Sequence, residues 1–140
     1  GMDIALCVIP LEINKKEEVT IKFSGANRPI WIIKNNSREL IEIKATKHAI
    51  GGLTMDDQVF EQHEITLNRG DIFYLFSDGF ADQFGGVHRK KLMTKKFKEI
   101  LVEISTLEMK TQEKYLFDFM EEWKGDVEQI DDILVIGIRF

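Results

Sequence analysis

Between Glu18 and Phe23, apolar Val19, Ile21 and Phe23 alternate with Thr20 and Lys22, the period of two that gives a strand one buried and one wet face. Met2 to Ile9 predicts an earlier strand that begins almost at the first residue and is ended by Pro10. Ile30 to Ile33 predicts another, after a hairpin-like connection Gly25-Ala-Asn-Arg-Pro29, and Asn35-Asn36-Ser37 turns the chain into a strand over Leu40 to Ile43. Together these predict an antiparallel meander. Lys44 to Phe60 shows no period, and then Glu61 to Leu67 and Asp71 to Phe76 predict a further hairpin around the turn Asn68-Arg-Gly.

After Gly86 the period lengthens from two to nearly four. Phe97, Ile100, Leu101 and Ile104 fall at helical spacing, with Lys91, Lys95 and Lys98 on another face, which predicts an amphipathic helix carrying a basic stripe. Such a stripe is a solvated face, or one that meets phosphate or an acidic partner. Leu116, Phe119, Met120 and Trp123 repeat the spacing in a second helix, with Thr111 as N-cap and Gly125 as stop. Ile133 to Phe140 closes the chain with an apolar strand. Strands, then two helices, then one strand is an α+β pattern, an antiparallel sheet with helices packed on one face.

Composition narrows the picture. With 140 residues, 44% of them hydrophobic and 31% charged, the chain has enough apolar material for one soluble domain with its own core. A net charge of −5 argues against a general nucleic-acid binder. The single cysteine, Cys7, has no partner for an internal disulfide, which fits a reducing cytoplasm. No apolar run approaches a membrane span, so no direct membrane insertion by this segment is expected. Gly1 before Met2 has the form of a remnant of tag removal. His48, His63 and His88 lack metal-ligand spacing, and no glycine-rich loop joins a strand to a helix as nucleotide binding requires.

Chemistry concentrates at two strand ends. Ser77, Asp78 and Gly79 end the run Ile72 to Phe76, and Asp82 follows Asp78 by four residues, the spacing that stacks two side chains if the chain turns helical there. Asp131-Asp132 stands at the head of the last strand. Brought side by side, these ends would offer oxygen ligands to a hard divalent cation; taken separately, each is ordinary turn chemistry. The wording of the segments goes further. Phe76-Ser-Asp-Gly-Phe-x-Asp-Gln-x-Gly-Gly86, followed by the terminal Asp131-Asp-Ile strand, resembles the metal-dependent protein phosphatases of type 2C (PPM), in their SpoIIE-like bacterial branch. Phe23-Ser-Gly-Ala-Asn-Arg-Pro-Ile-Trp31 and His48-Ala-Ile-Gly-Gly52 are similar to two more of that branch's segments, in the family's order.

The resemblance implies that residues 2–140 are the C-terminal portion of an αββα sandwich, and that the parent protein is a serine/threonine phosphoprotein phosphatase. It implies Mn²⁺ or Mg²⁺, two in the complete domain, activating a water so that no side chain serves as nucleophile. Carried over residue by residue, Asp78, Gly79 and Asp131 are metal-site positions, Asp82 matches a weaker third site, and Asp132 supports the ligands from behind. The family's earlier Gly-Asp-x-x-Gly-His-Gly segment, which brings a further acidic ligand, has no counterpart here. The isolated piece is therefore expected to bind metal weakly or not at all and to turn over little. The implied partner is a phosphorylated regulatory protein in the cytoplasm, and the resemblance leaves open whether the parent is attached to a membrane sensor. An alternative from another class is a non-catalytic, phosphatase-like interaction module using its sheet edge and the Lys91/Lys95/Lys98 face. An exposed edge beside Met2 would favour self-association too.

Overall fold

In the computed structural model, which describes residues 1–53 and 55–140, the four residues of β3 (Ile30–Ile33) are all buried. Isoleucine and tryptophan suit a strand covered on both faces. Strand β4 (Leu40–Ile43) pairs with one edge of β3 and β6 (Ile72–Phe76) with the other, both antiparallel, so that Ile32 stands opposite Ile41 and Phe73. The Asn35-Asn36-Ser37 turn makes the expected hairpin between β3 and β4. A second sheet of three strands runs in the order β1-β2-β5, with β1 at Ile4–Val8, β2 at Glu18–Ala26 and β5 at Gln62–Asn68. Strand β1 is its outer strand and turns Leu6 and Val8 to solvent.

The single meander expected from the sequence is thus divided between two sheets. β2 and β3 do not pair, and neither do β5 and β6; each connection is a corner that carries the chain from one sheet to the other. The first corner is tight enough that a Cβ on Gly25 would lie 2.3 Å from the Arg28 carbonyl oxygen, so only glycine lets the backbone fold back there. The second is held by Asp71. Its carboxylate accepts the backbone N–H groups of Asn35 and Asn68, each at 2.8 Å, and the Lys34 ammonium at 3.1 Å. Between the sheets Val19, Ile21, Phe23, Ile65 and Leu67 meet Ile30, Ile32, Phe73 and Phe140 in one core.

The chain forms two compact units, Gly1–Leu75 with Ile138–Phe140, and Phe76–Gly137. The second holds α1 (Gly79–Asp82), the short hairpin of β7 (Phe84–Gly85) and β8 (Lys90–Lys91), α2 (Thr94–Ile104) and α3 (Met109–Lys124); β9 (Val135–Arg139) leads back into the first. The residues that predict the first long helix, Phe97, Ile100, Leu101 and Ile104, are its buried ones. Lys91, expected on the same helix, lies instead in β8, because the helix starts only at Thr94. Gly125 stops α3 as expected, at φ 51°, but Thr111 is not the N-cap. The helix begins at Met109, and the buried Gln112 side chain closes its start by donating to the Leu107 carbonyl at 3.0 Å. Among the described residues no helix is long and apolar enough to cross a membrane.

Both units carry a testable constraint. Burial alone would raise the Asp71 carboxyl; the two backbone donors and Lys34 outweigh it and hold the group below its ordinary 3.8. A group whose pKa is lowered by folding contributes stability that is present above the unfolded value and lost as pH falls through the folded one. Asp71→Asn is expected to cost about 1–3 kcal/mol near neutral pH, and urea titrations should show the gap to the parent chain narrowing below about pH 4. In the second unit, a Cβ on Gly85 would lie 2.0 Å from the Trp123 carbonyl oxygen, a backbone atom that cannot rotate away. Gly85→Ala is expected to lower the urea midpoint by the equivalent of about 1–3 kcal/mol.

Candidate functional site

Strand β6 ends at Phe76, and the next three residues make the meeting point of the two acidic segments. The Ser77 hydroxyl donates to the Asp132 carbonyl at 2.8 Å and accepts the Leu134 N–H at 3.0 Å, while the Ser77 N–H donates to the Leu134 carbonyl at 3.0 Å. One small side chain thereby stitches the end of β6 to the segment entering β9. Gly79 completes the approach. A Cβ there would sit 2.2 Å from the Asp132 carbonyl oxygen and 2.9 Å from its carbon, so any larger residue would drive residues 131–133 away. The carbonyl of Asp78 accepts the Asp82 N–H at 3.0 Å, which is the single turn of α1.

The turn is fixed from behind by aromatic rings. Phe80, 1% exposed, stacks on Phe97 with centroids 4.3 Å apart, and Phe97 meets Phe76 edge-on at 5.4 Å. Phe119 lies 6.2 Å from Phe80 and 6.4 Å from Trp123, continuing the ladder into α3. Gln83, buried at the end of α1, donates through its side-chain amide to the carbonyls of Phe84 and Glu128, and its own carbonyl accepts Trp123 Nε1–H at 3.0 Å. Asp78 and Asp82 stand on a turn whose apolar side is locked into two helices, so their backbone positions are set before any ligand arrives.

The expected site residues fall as follows. Asp78, Asp131 and Asp132 are exposed, Gly79 is buried and Asp82 is half-buried. The Asp78 carboxylate makes no cap bond to α1 and no ion pair among the described residues. Asp131 accepts the Asp132 N–H on one carboxylate oxygen at 2.7 Å, which leaves the other oxygen as a further acceptor. Asp82 already has a cation beside it, the Lys91 ammonium at 3.8 Å. The structure brings the backbones of Asp78–Gly79 and Asp131–Asp132 together, while Asp82 is drawn towards β8. Among the described residues no group of three or more His, Cys, Asp or Glu side chains is arranged to hold a metal ion. The donors present are hard oxygens of the right class, but the set is incomplete.

Ser77, Phe80, Gln83 and Trp123 do the positioning and were not singled out as such by their sequence patterns. Ser77 was visible only as the residue before the Asp-Gly pair. Trp123 was legible as an apolar position on a helix, but its ring N–H bond to Gln83 depends on where α3 ends relative to α1, which no local pattern records.

With this geometry in place, the chain can be set beside known proteins. A family model described as Stage II sporulation protein E (SpoIIE) matches residues 5–140. The structure is similar to the SiaA-PP2C domain of Pseudomonas aeruginosa, with a TM-score of 0.76 and 28% identity over 86% of this chain and 46% of that one. It shares its fold with the phosphatase domain of the cell fate determinant SpoIIE from Bacillus subtilis, with a TM-score of 0.67 and 17% identity over 98% of this chain and 57% of that one. The chain therefore spans about half the length of these solved domains. No curated protein sequence matches it significantly. The α+β architecture is that of PP2C phosphatase domains, and with the family model matched over nearly its whole length, the chain belongs to the SpoIIE family of PP2C-type phosphatases.

Proposed function

We propose that this chain is the C-terminal portion of a Mn²⁺- or Mg²⁺-dependent phosphatase that removes phosphate from phosphoserine or phosphothreonine on a regulatory protein. The observation that carries the reading is the stitched junction of Ser77–Gly79 with Asp131–Asp132, found in a member of the SpoIIE family. When bound, divalent cations supply an activated water and offset the charge of the phosphoryl group. Asp78 and Asp131 would hold them, with the Gly79 carbonyl and Asp82 beside them and Asp132 behind.

The residues of this chain contribute position more than chemistry. Ser77 spends its hydroxyl on two backbone groups of the facing segment and so leaves the neighbouring Asp78 carboxylate uncommitted. Absence of a side chain at Gly79 lets the two acidic ends approach to backbone contact. Exposure leaves Asp78 and Asp131 reachable by a phosphoprotein too large to enter a closed pocket. Two such acids carry less charge than a complete hard-cation site uses, and affinity falls as charged ligands are removed.

A second reading, a phosphatase-like interaction module without turnover, is favoured by the missing three-ligand group among the described residues. The two readings separate on one titration. Calorimetry with Mn²⁺ should show weak saturable binding to this chain, weakened about tenfold or more in Asp78→Asn, with stability within about 0.5 kcal/mol of the parent because Asp78 is exposed. Hydrolysis of a phosphoserine peptide by the chain alone should stay near background. Identical Mn²⁺ heats for both proteins would leave the module reading in its place, and Mn²⁺-dependent turnover lost in Asp78→Ala would show that the site is more complete than proposed.

A further inference from the structure

The β7–β8 hairpin and the start of α2 hold the densest run of positive charge in the sequence. From Gly86 to Lys98 the sequence has Arg89, Lys90, Lys91, Lys95, Lys96 and Lys98 and no acidic residue, in a chain whose net charge is −5. Helix α3 shows what ordinary surface charge looks like in the same unit. There Lys110, Lys114 and Lys124 each pair with an acid three or four residues away, the usual way a helix neutralises its own face. By contrast Lys90, Lys95 and Lys96 make no ion pair among the described residues and are all exposed. Lys95 and Lys96 also stand in the first turn of α2, which has no acid and no side-chain cap, so they oppose the helix dipole and cost stability where they are. Their charge has no use inside the fold.

Its position gives it one outside. Lys91 at the base of the hairpin lies 3.8 Å from Asp82, one turn beyond Asp78, so the basic surface begins at the rim of the candidate site. Arg89 reaches the other way to Asp126 at 3.2 Å. The hairpin is also held stiffly: Gly86 N–H donates to the Trp123 carbonyl at 2.8 Å, and Gly85 packs against the same carbonyl with no room for a side chain. A rigid cationic surface beside a phosphate-processing site is preorganised for an anionic partner and steers it to the acids it flanks.

We infer that Lys90, Lys95 and Lys96 form a docking surface for an acidic stretch of the phosphoprotein substrate, adjoining the position of its phosphoryl group. This rests on the phosphatase reading for the partner's identity, but its test uses no metal and no turnover, so the two can fail separately. The probe is a fluorescent peptide with glutamates flanking one phosphoserine, compared with the same peptide carrying glutamines, by anisotropy on the 140-residue chain at about 0.05 M and 0.5 M salt. The acidic peptide should bind about tenfold more tightly than the neutral one at low salt, and that advantage should vanish at high salt. It should also vanish in the triple variant Lys90→Glu, Lys95→Glu, Lys96→Glu and shrink in the triple glutamine variant, with circular dichroism unchanged in both. Equal binding of the two peptides by the parent chain, or an acidic-peptide advantage that survives both triple variants, would overturn the inference. So would tighter, lysine-dependent binding of single-stranded RNA or of phosphatidylserine vesicles than of the acidic peptide.

Discussion

The close approach of Gly79 to the Asp132 carbonyl, with the Ser77 hydroxyl bonded on both sides of the gap, is the constraint on which the candidate site depends. Two polar strand ends do not meet of their own accord, since each carries exposed backbone groups that water would satisfy equally well. Ser77 replaces that water by donating to one carbonyl and accepting one N–H of the facing segment. Gly79 has no side chain to keep the two backbones apart. Asp78, Asp131 and Asp132 are exposed, so the order of the site comes from this backbone junction and from the rings of Phe80 and Phe97 beneath it.

The same logic separates the two long-range jobs in the chain. In the first unit, apolar faces of two sheets make the core, and the polar group that shapes it, Asp71, is buried and fully bonded. In the second, acids and lysines lie outside an aromatic ladder, with Asp82 and Lys91 in contact where the two kinds of charge meet. The buried charge is fully bonded and serves architecture, while the charge of the second unit stays largely at the surface, as the cost of desolvation requires.

Much of the fold was legible in sequence because side-chain period is a local property. β3 and the apolar face of α2 lie where the pattern put them. What failed was pairing. A turn rich in Gly, Asn and Pro is compatible both with a hairpin and with a corner between sheets, and the deciding facts, the contact of Gly25 with Arg28 and the bonds from Asn35 and Asn68 to Asp71, involve groups outside the strand pattern. Lys91 was misplaced for a related reason: helical spacing can be extended backwards over residues that are not yet helix. At the site, family wording pointed to Asp78 and Asp131, whereas Gln83 and Trp123, which hold the turn, are joined through a contact that spacing does not encode.

The most direct test of the central claim, that the two acidic strand ends form one cation site, is paramagnetic broadening by sparing Mn²⁺ of the amide signals of the ¹⁵N-labelled chain. The account predicts that the amides of residues 78–82 and 131–134 broaden together and first, and that Asp78→Asn protects both groups at once. Broadening confined to one of the two segments, or spread over unrelated acids such as Asp56 and Asp57, would contradict it.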